Sequence, residues 1–351
     1  MKLIVPCGGK SSRFPNMPPK WILPDHEGIP MIVRAVQELQ FNPSDLVVTI
    51  LKEHEAKFNV RRGLVDIFGE DVTTVVLERP TLSQSETVVK TLKTLDIREP
   101  FLVKDSDNSF RISKIESDIS YVTVSSLNDF DLINPKNKSY VTIDQEETIT
   151  CIREKRVISD LFSVGGYFFR DAEMFLSAFE KLNDSPGIST SEIYISEIIS
   201  YMLLNGEHFK IRRAENYQDW GTIHEWRRKL EGRKLFFVSV DGFLFERGYA
   251  HFSPGFHEVK PNKSAIDSVR NLVESGHEVV YLSIRPDNLK EMTTAVLQNA
   301  GLPVAQLLMG CNLSQWTLVT APHSSMPYMT SRAREVSPDD LSLIEKLTGL
   351  E

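Results

Sequence analysis

Cysteine is scarce in this 351-residue sequence: only Cys7, Cys151 and Cys311 occur, widely scattered and never in a Cys-x-x-Cys pair. An odd, dispersed set builds neither a disulfide framework nor a structural zinc site, and it suits a reducing cytoplasm. An excess of positive charge is also missing, since 40 Lys and Arg stand against 48 Asp and Glu, a formal charge of −8. A surface that tracks nucleic acid needs local basicity, so nucleic acid is not an expected partner, and important basic residues must act locally on a small anion. Long apolar runs are absent too. The apolar start closes at Pro6, too short for a signal peptide's apolar region, and nothing later approaches membrane-spanning length. The expectation is a cytoplasmic protein with no membrane partner. There is no internal repeat and no low-complexity tract. What remains is a soluble, globular composition, 41% hydrophobic and 25% charged, in a chain too long for one core, so two domains are expected.

The chain is organised around its beginning. Lys2-Leu3-Ile4-Val5 is a short strand-type run, followed by Pro6-Cys7-Gly8-Gly9-Lys10-Ser11-Ser12-Arg13-Phe14 and then Pro19-Lys20. A glycine pair after a strand lets the backbone turn sharply and present successive N–H groups to a phosphate. Arg13 and Lys20 add positive charge to the same loop. It is neither a Walker A loop, lacking Gly-Lys-Ser/Thr, nor the dinucleotide Gly-x-Gly-x-x-Gly. Taken alone, the pattern also describes an ordinary strand-to-helix turn.

Further on, Pro30 sits where a first helical residue would, with Met31, Ile32, Val33, Val36 and Leu39 at helical spacing. Leu46–Leu51 reads as a strand covered on both faces. A helical pattern over 53–68, a strand at 72–77, a helix at 86–95 and a strand at 101–103 complete an alternation that implies a mostly parallel sheet wound on both sides. Ligands in such sheets bind at the carboxyl ends of the strands, where the Gly8-Gly9 loop lies. After Asp107 the rhythm changes to short β-type runs at 119–124, 140–143, 148–152 and 164–169, then helices near 172–182 and 191–204, a more antiparallel half of the same domain. Glu231-Gly232-Arg233 reads as a hinge. A fresh series follows, with a strand from Leu235, a helix near 263–274, a strand at 279–283 and a helix near 288–300. Domains are therefore expected at 1–231 and 233–351.

Four further stretches could carry chemistry. Phe101-Leu102-Val103-Lys104-Asp105-Ser106-Asp107-Asn108 sets paired carboxylates directly after a strand. Isolated, Asp-x-Asp is a turn; at the end of a buried strand it supplies hard oxygen ligands for Mg²⁺, which commonly takes one or two carboxylates plus substrate phosphates. Tyr217-Gln218-Asp219-Trp220-Gly221-Thr222 precedes a helix that Thr222 could cap. Arg153-Glu154-Lys155 comes ahead of Phe162-Ser163-Val164-Gly165-Gly166-Tyr167-Phe168-Phe169. Leu82-Ser83-Gln84-Ser85-Glu86 opens a helix with capping-box spacing between Ser83 and Glu86.

In this order, the loop, Pro-Lys, strand-end Asp, Glu-Lys and Asp-x-Gly-Thr resemble the sugar-phosphate nucleotidyltransferases, the pyrophosphorylases of nucleotide sugars, over about residues 1–231. The resemblance implies a Rossmann-like α/β domain with a mixed, mostly parallel sheet. It places Pro6, Gly8, Gly9, Arg13 and Lys20 on a nucleoside triphosphate, with Gln84 or Ser85 reading the base. It makes Asp107 and Asp219 the ligands of a catalytic Mg²⁺, with Asp105 as an added carboxylate of less defined role. Lys155 would bind the acceptor's phosphate, Glu154 a hydroxyl, and Gly165 and Gly166 would let the acceptor approach the backbone. The implied partners are a nucleoside triphosphate, CTP or UTP rather than dTTP, and a phosphorylated sugar or similar acceptor. The usual setting is synthesis of surface or capsule polysaccharide precursors. A homo-oligomer is left open.

In the second domain, Phe236-Phe237-Val238-Ser239-Val240-Asp241-Gly242 and Tyr281-Leu282-Ser283-Ile284-Arg285 resemble the first two motifs of haloacid dehalogenase-type phosphatases. That family's nucleophilic aspartate falls on Ser239, and its late acidic pair falls on Thr320-Ala321-Pro322-His323, after Trp316-Thr317-Leu318-Val319. A neutral serine cannot attack phosphorus and ligate Mg²⁺ as a carboxylate does. The expected domain is thus a smaller α/β scaffold without phosphatase activity, in which Lys263 and Ser283 could still hold a phosphate. A bifunctional transferase and phosphatase, and a non-catalytic nucleotide-sugar-binding regulator, are the alternatives.

Overall fold

The computed structural model describes residues 1–311, 317 and 319, apart from 116, 131–134, 185–191 and 232. The chain divides into two compact units, Met1–Trp226 and Arg227–Glu351. The sequence-based hinge at Gly232 and the Thr320–His323 segment lie outside the described residues.

The first unit begins with β1 (Lys2–Pro6) and α1 (Met31–Val36), separated by a long irregular loop. Pro30 stands at the N-cap of α1 and not at its first turn. Then come β2 (Leu46–Leu51), α2 (Lys52–Phe58), α3 (Val60–Phe68), β3 (Thr73–Leu77), α4 (Gln84–Leu95), β4 (Phe101–Lys104) and β5 (Asn108–Arg111). The helix expected over 53–68 is two helices, because Asn59 adopts a left-handed conformation (φ 48°) that breaks the hydrogen-bond ladder. The later, more antiparallel half contributes β6 (Ser120–Ser126), β7 (Ser139–Ile143), β8 (Ile149–Glu154), β9 (Leu161–Phe169), α5 (Ala172–Asn183), α6 (Ile195–Leu204), β10 (Phe209–Arg213) and β11 (Glu215–Asp219). α6 begins at Ile195; the earlier start expected at Ser191 lies outside the described residues.

One sheet runs β10-β6-β9-β4-β1-β2-β3, with β7 attached to β9 and β8 to β7. β1, β2, β3 and β4 pair in parallel, as do β6 and β10, whereas β9 pairs antiparallel with β4 and β6. The sheet is therefore mixed and mostly parallel along this path, the α/β arrangement of a Rossmann-like fold. β2 and β9 are buried along their whole lengths, as their continuous apolar runs require. Two apolar clusters cover the two faces: Ile4 and Val103 lie in one, Leu3 and Leu102 in the other. Alternate residues of one strand thus enter opposite cores. Phe169 centres the first, with Phe175, Phe101 and Phe209 rings at 4.7, 5.2 and 5.8 Å.

β5 and β11 form a separate antiparallel ribbon in which Asp219 pairs with Asn108. Neither strand is visible as an apolar run. Their pairing nevertheless fixes the site, because it carries residue 219 to the end of β4.

In the second unit, α7 (Ile223–Glu231) crosses the division between the units. β12 (Leu235–Ser239), α8 (Lys263–Glu274), β13 (Glu278–Leu282), α9 (Lys290–Asn299) and β14 (Gln306–Leu308) follow. The three strands are parallel in the order β12-β13-β14, around a core that includes Val240, Leu244, Val269 and Tyr281. This is a small α/β unit in its own right. Among the described residues, no helix of the chain is long and apolar enough to cross a membrane.

Phe169→Ala should destabilise the first unit by about 3–5 kcal/mol, the cost of emptying a fully packed aromatic site. The check is the shift of its urea unfolding midpoint against the unchanged protein.

Candidate active site

The loop after β1 does not run directly into a helix: from residue 8 to residue 19 it is a succession of turns and bends, and only then comes one 3-10 turn, Lys20–Ile22. Ser11 and Asn16 take left-handed conformations, the Phe14 N–H closes a turn on the Ser11 carbonyl at 2.8 Å, and Ser11 Oγ accepts the Lys20 N–H. An ordinary strand-to-helix turn is thereby excluded. Gly8 is buried where a Cβ would stand 3.1 Å from the Thr87 side chain of α4, while Gly9 faces open space. Pro6 ends β1, and Cys7 is buried beneath the loop with its N–H on the Thr49 carbonyl at 2.7 Å. Burial pushes the Cys7 thiol up to about 12, so it stays protonated beside Lys20 and Asp107.

The loop folds Lys20 onto the end of β4, where its ammonium donates to Asp107 Oδ2. Asp219 arrives on the β5–β11 ribbon, and the Trp220 N–H donates to the Asp107 carbonyl at 2.8 Å. Around Gly221 the groups converge. The position a Cβ would take on Gly221 lies 3.2 Å from Asp107 Oδ2, 3.2 Å from Asp219 Oδ1 and 3.5 Å from the Arg13 guanidinium. Two carboxylates and one cation from three distant parts of the sequence thus surround one spot, with the Lys20 ammonium on one of the carboxylates. The Asp219 Oδ1 also accepts the Gly221 N–H at 3.0 Å, and Thr222 and Glu225 cap α7 reciprocally, so capping and convergence coexist.

Burial opposes ionisation of Asp107, but Lys20 and Arg13 outweigh it and hold this carboxyl well below the usual range. Asp105 behaves oppositely. It is half-buried, and desolvation together with the negative Asp107 pushes it up to about 6 despite a hydrogen bond from Gln84 Nε2. Its N–H donates to the Gly165 carbonyl at 2.9 Å. Beneath both lies Lys104, fully buried, with its ammonium on the Asp105 carbonyl and on the carbonyl and side chain of Asn108; burial brings it down to about 8.

Among the described residues there is no cluster of three or more His, Cys, Asp or Glu with the geometry to hold a metal. The donors present are the facing oxygens of Asp107 and Asp219, hard ligands that suit Mg²⁺ completed by substrate phosphates. The residues therefore fit the implied ion.

The residues expected to meet an acceptor are differently engaged. Glu154 Oε2 accepts from Ser139 and from Ser196, the latter at 2.7 Å. Lys155, in a left-handed conformation just past β8, donates to the Tyr194 hydroxyl with its ammonium 4.2 Å from that ring. Burial above all, and then the charges of Asp105 and Glu154, suppress the ionisation of Tyr167 on β9. The glycines proposed for backbone approach have packing reasons. At Gly165 (φ 81°) a Cβ would fall 2.2 Å from Asp105 Oδ2, and at Gly166 it would fall 2.6 Å from Phe110 and 2.7 Å from Thr123. That side of each glycine is filled by the protein itself. Ser85 is fully buried, with its hydroxyl committed to the Ile193 carbonyl and to Ser83, which leaves it no face for a base. Ser83 caps α4 as its spacing suggests.

One participant was not anticipated. Lys138 donates to Asp219 Oδ2 and, at 2.7 Å, to the Tyr217 hydroxyl. A lysine in the polar run Pro135-Lys136-Asn137-Lys138-Ser139 carries no signal that distinguishes it from a solvated one.

In the second unit Asp241 is 5% exposed and fully engaged. Ser283 Oγ (2.7 Å) and the Ile284 N–H (3.1 Å) donate to Oδ2, and Arg285 Nε donates to Oδ1 at 2.8 Å. Arg285 is itself completely buried, and among the described residues one of its terminal nitrogens has no hydrogen-bond partner. Ser239 Oγ donates to the Asp241 carbonyl at 2.9 Å. A guanidinium thus sits on this carboxylate as its counter-ion.

No protein-family model matches the chain, and no curated protein matches it in sequence. Solved structures do resemble it. A nucleoside-diphosphate-sugar pyrophosphorylase from Vibrio cholerae RC9 matches with a TM-score of 0.56 at 20% identity, over 65% of this chain and 99% of that one. An inositol-1-phosphate CTP transferase from T. maritima matches at 0.52 and 15% identity, over 64% and 90%. A glucose-1-phosphate thymidylyltransferase, so named provisionally, from Bacillus anthracis matches at 0.52 and 22% identity, over 65% and 93%. At these identities what is shared is the fold, a mixed, mostly parallel α/β sheet, over nearly the whole of each neighbour.

Two outcomes follow from the buried charges. The raised Asp105 contributes stability that is fully present below the unfolded value of about 4 and is lost as pH rises through about 6. Asp105→Asn should therefore leave stability unchanged near pH 4 and raise it by up to about 2 kcal/mol at pH 8, measured by urea unfolding at both pH values. Arg285→Met, by stripping Asp241 of its cation, should destabilise the second unit by about 3–5 kcal/mol, read as a lowered melting temperature.

Proposed function

We propose that the chain is a Mg²⁺-dependent nucleotidyltransferase that joins a nucleoside monophosphate to a sugar phosphate or similar phosphorylated acceptor and releases pyrophosphate. The observation that carries this reading is the convergence of Asp107, Asp219 and Arg13 beside Gly221, with Lys20 on Asp107, at the carboxyl end of β4. The fold shared with sugar-nucleotide pyrophosphorylases and a CTP transferase supports it.

The chemistry follows from charge. An oxygen of the acceptor's phosphate attacks the α-phosphorus, the bond from that phosphorus to the bridging oxygen breaks, and the electron pair leaves on pyrophosphate. Two anions must be brought together, so positioning and charge neutralisation are the task, and no covalent enzyme intermediate is needed. Arg13 and Lys20 neutralise the triphosphate as the loop around Gly8 and Gly9 cradles it. Asp107 and Asp219 would hold Mg²⁺, which when bound supplies charge stabilisation at the α-phosphate. Asp107 is suited to that role because its neighbours keep it ionised. Lys155 receives the acceptor's phosphate, and Glu154, fixed by Ser139 and Ser196, orients a hydroxyl. Base choice falls to the loop and Gln84, with CTP or UTP favoured and surface polysaccharide precursors as the setting. The second unit is a haloacid dehalogenase-like scaffold without phosphatase activity, a reading supported by Ser239 and by the engagement of both Asp241 oxygens.

A pyrophosphate-release screen of CTP, UTP, dTTP, ATP and GTP against phosphorylated sugars and polyols should find an active pair that requires Mg²⁺. Lys20→Ala and Asp107→Ala should each lower that release at least about 100-fold. Undiminished release in both variants would overturn the assignment.

A further inference from the structure

We infer that Lys138 is a positioning residue for Asp219, one that ties the metal-side carboxylate to the acceptor-side hairpin. This rests on the nucleotidyltransferase reading and adds to it a residue that the motifs do not contain. Asp219 uses its two oxygens differently: Oδ1 accepts the Gly221 N–H and faces the spot shared with Asp107, whereas Oδ2 receives the Lys138 ammonium. Lys138 therefore grips the second oxygen of Asp219 and in doing so fixes the rotation of the carboxylate, which sets where Oδ1 stands. Its own position is set from three sides. The ammonium also donates to the Tyr217 hydroxyl at 2.7 Å and lies 5.3 Å from the Tyr217 ring and 5.7 Å from the Phe162 ring, in a pocket that leaves the side chain 11% exposed. Its carbonyl accepts the Lys155 N–H at 2.9 Å, and the next residue, Ser139, pairs with Glu154 across β7 and β8. A single residue thus holds Asp219 with its side chain and the backbone of Lys155 with its carbonyl. Ligating carboxylates depend on such outer partners, whose loss costs about 10- to 100-fold in metal affinity or activity.

The test uses the full-length protein with Mn²⁺ as a paramagnetic probe, alone and with CTP, and compares Lys138→Met, Lys138→Arg and Tyr217→Phe with the unchanged protein. Lys138→Met should weaken Mn²⁺ binding about 10- to 100-fold and lower kcat for pyrophosphate release by a similar factor. Lys138→Arg, which keeps the charge, should recover part of both, and Tyr217→Phe, which folds with the Lys138–Asp219 pair intact, should weaken Mn²⁺ only severalfold. Mn²⁺ affinity that is unchanged or tighter in Lys138→Met, whatever happens to its melting temperature, would overturn the inference. If the unchanged protein binds Mn²⁺ at a site lost in Asp219→Asn but releases no pyrophosphate with any substrate pair, the functional reading falls while the Mn²⁺ comparison still decides the role of Lys138. An unchanged protein that binds no Mn²⁺ would remove both.

Discussion

Burying carboxylates is costly unless a cation stands against each one, and the first unit is arranged around that constraint. Asp105, Asp107 and Asp219 gather at the ends of β4 and β11, and Lys20, Lys104, Lys138 and Arg13 gather with them. The cations are not equivalent. Lys104 is sealed beneath the strand end and satisfied by carbonyls, so it stabilises the turn that holds Asp105 and Asp107. Lys20 and Arg13 come from a loop and lie on the open side, where a polyanion would meet them. That surplus of cations at one place, in a chain of net negative charge, sets the cluster apart from an ordinary solvated surface.

Much of this was legible in the residues. The strand before Gly8-Gly9, the carboxylates after Phe101-Leu102-Val103 and the alternation of strands and helices follow from apolar periodicity, which reports burial directly. The polar strands were not legible. Asn108–Arg111 and Glu215–Asp219 have no apolar run, yet their pairing makes the site, because register is decided by the fold that surrounds them. Lys138 was hidden for the same reason: only tertiary structure sets it against Asp219. Ser85 shows the opposite limit, where a motif suggested base reading but helix packing took the hydroxyl. Asn59 broke a helix whose spacing looked continuous, since periodicity does not register one left-handed residue.

The second unit answers the same electrostatic problem without open cations. Its carboxylate, Asp241, is closed in by a serine, a backbone N–H and the buried guanidinium of Arg285. A divalent ion would have to displace all three. A network of this kind specifies a conformation more than it invites a ligand.

The ribbon of β5 and β11 has a bearing on how the protein is made. Asn108 and Asp219 are partners across roughly half the length of the first unit, so closing that loop belongs to the most entropically demanding contacts of the fold. A nascent chain released as far as β9 already owns the glycine loop and most of its sheet, yet it has only half of the facing carboxylate pair. The facing pair would therefore be completed abruptly during translation, when the last strand of this unit leaves the ribosome, and a truncated product would lack it altogether.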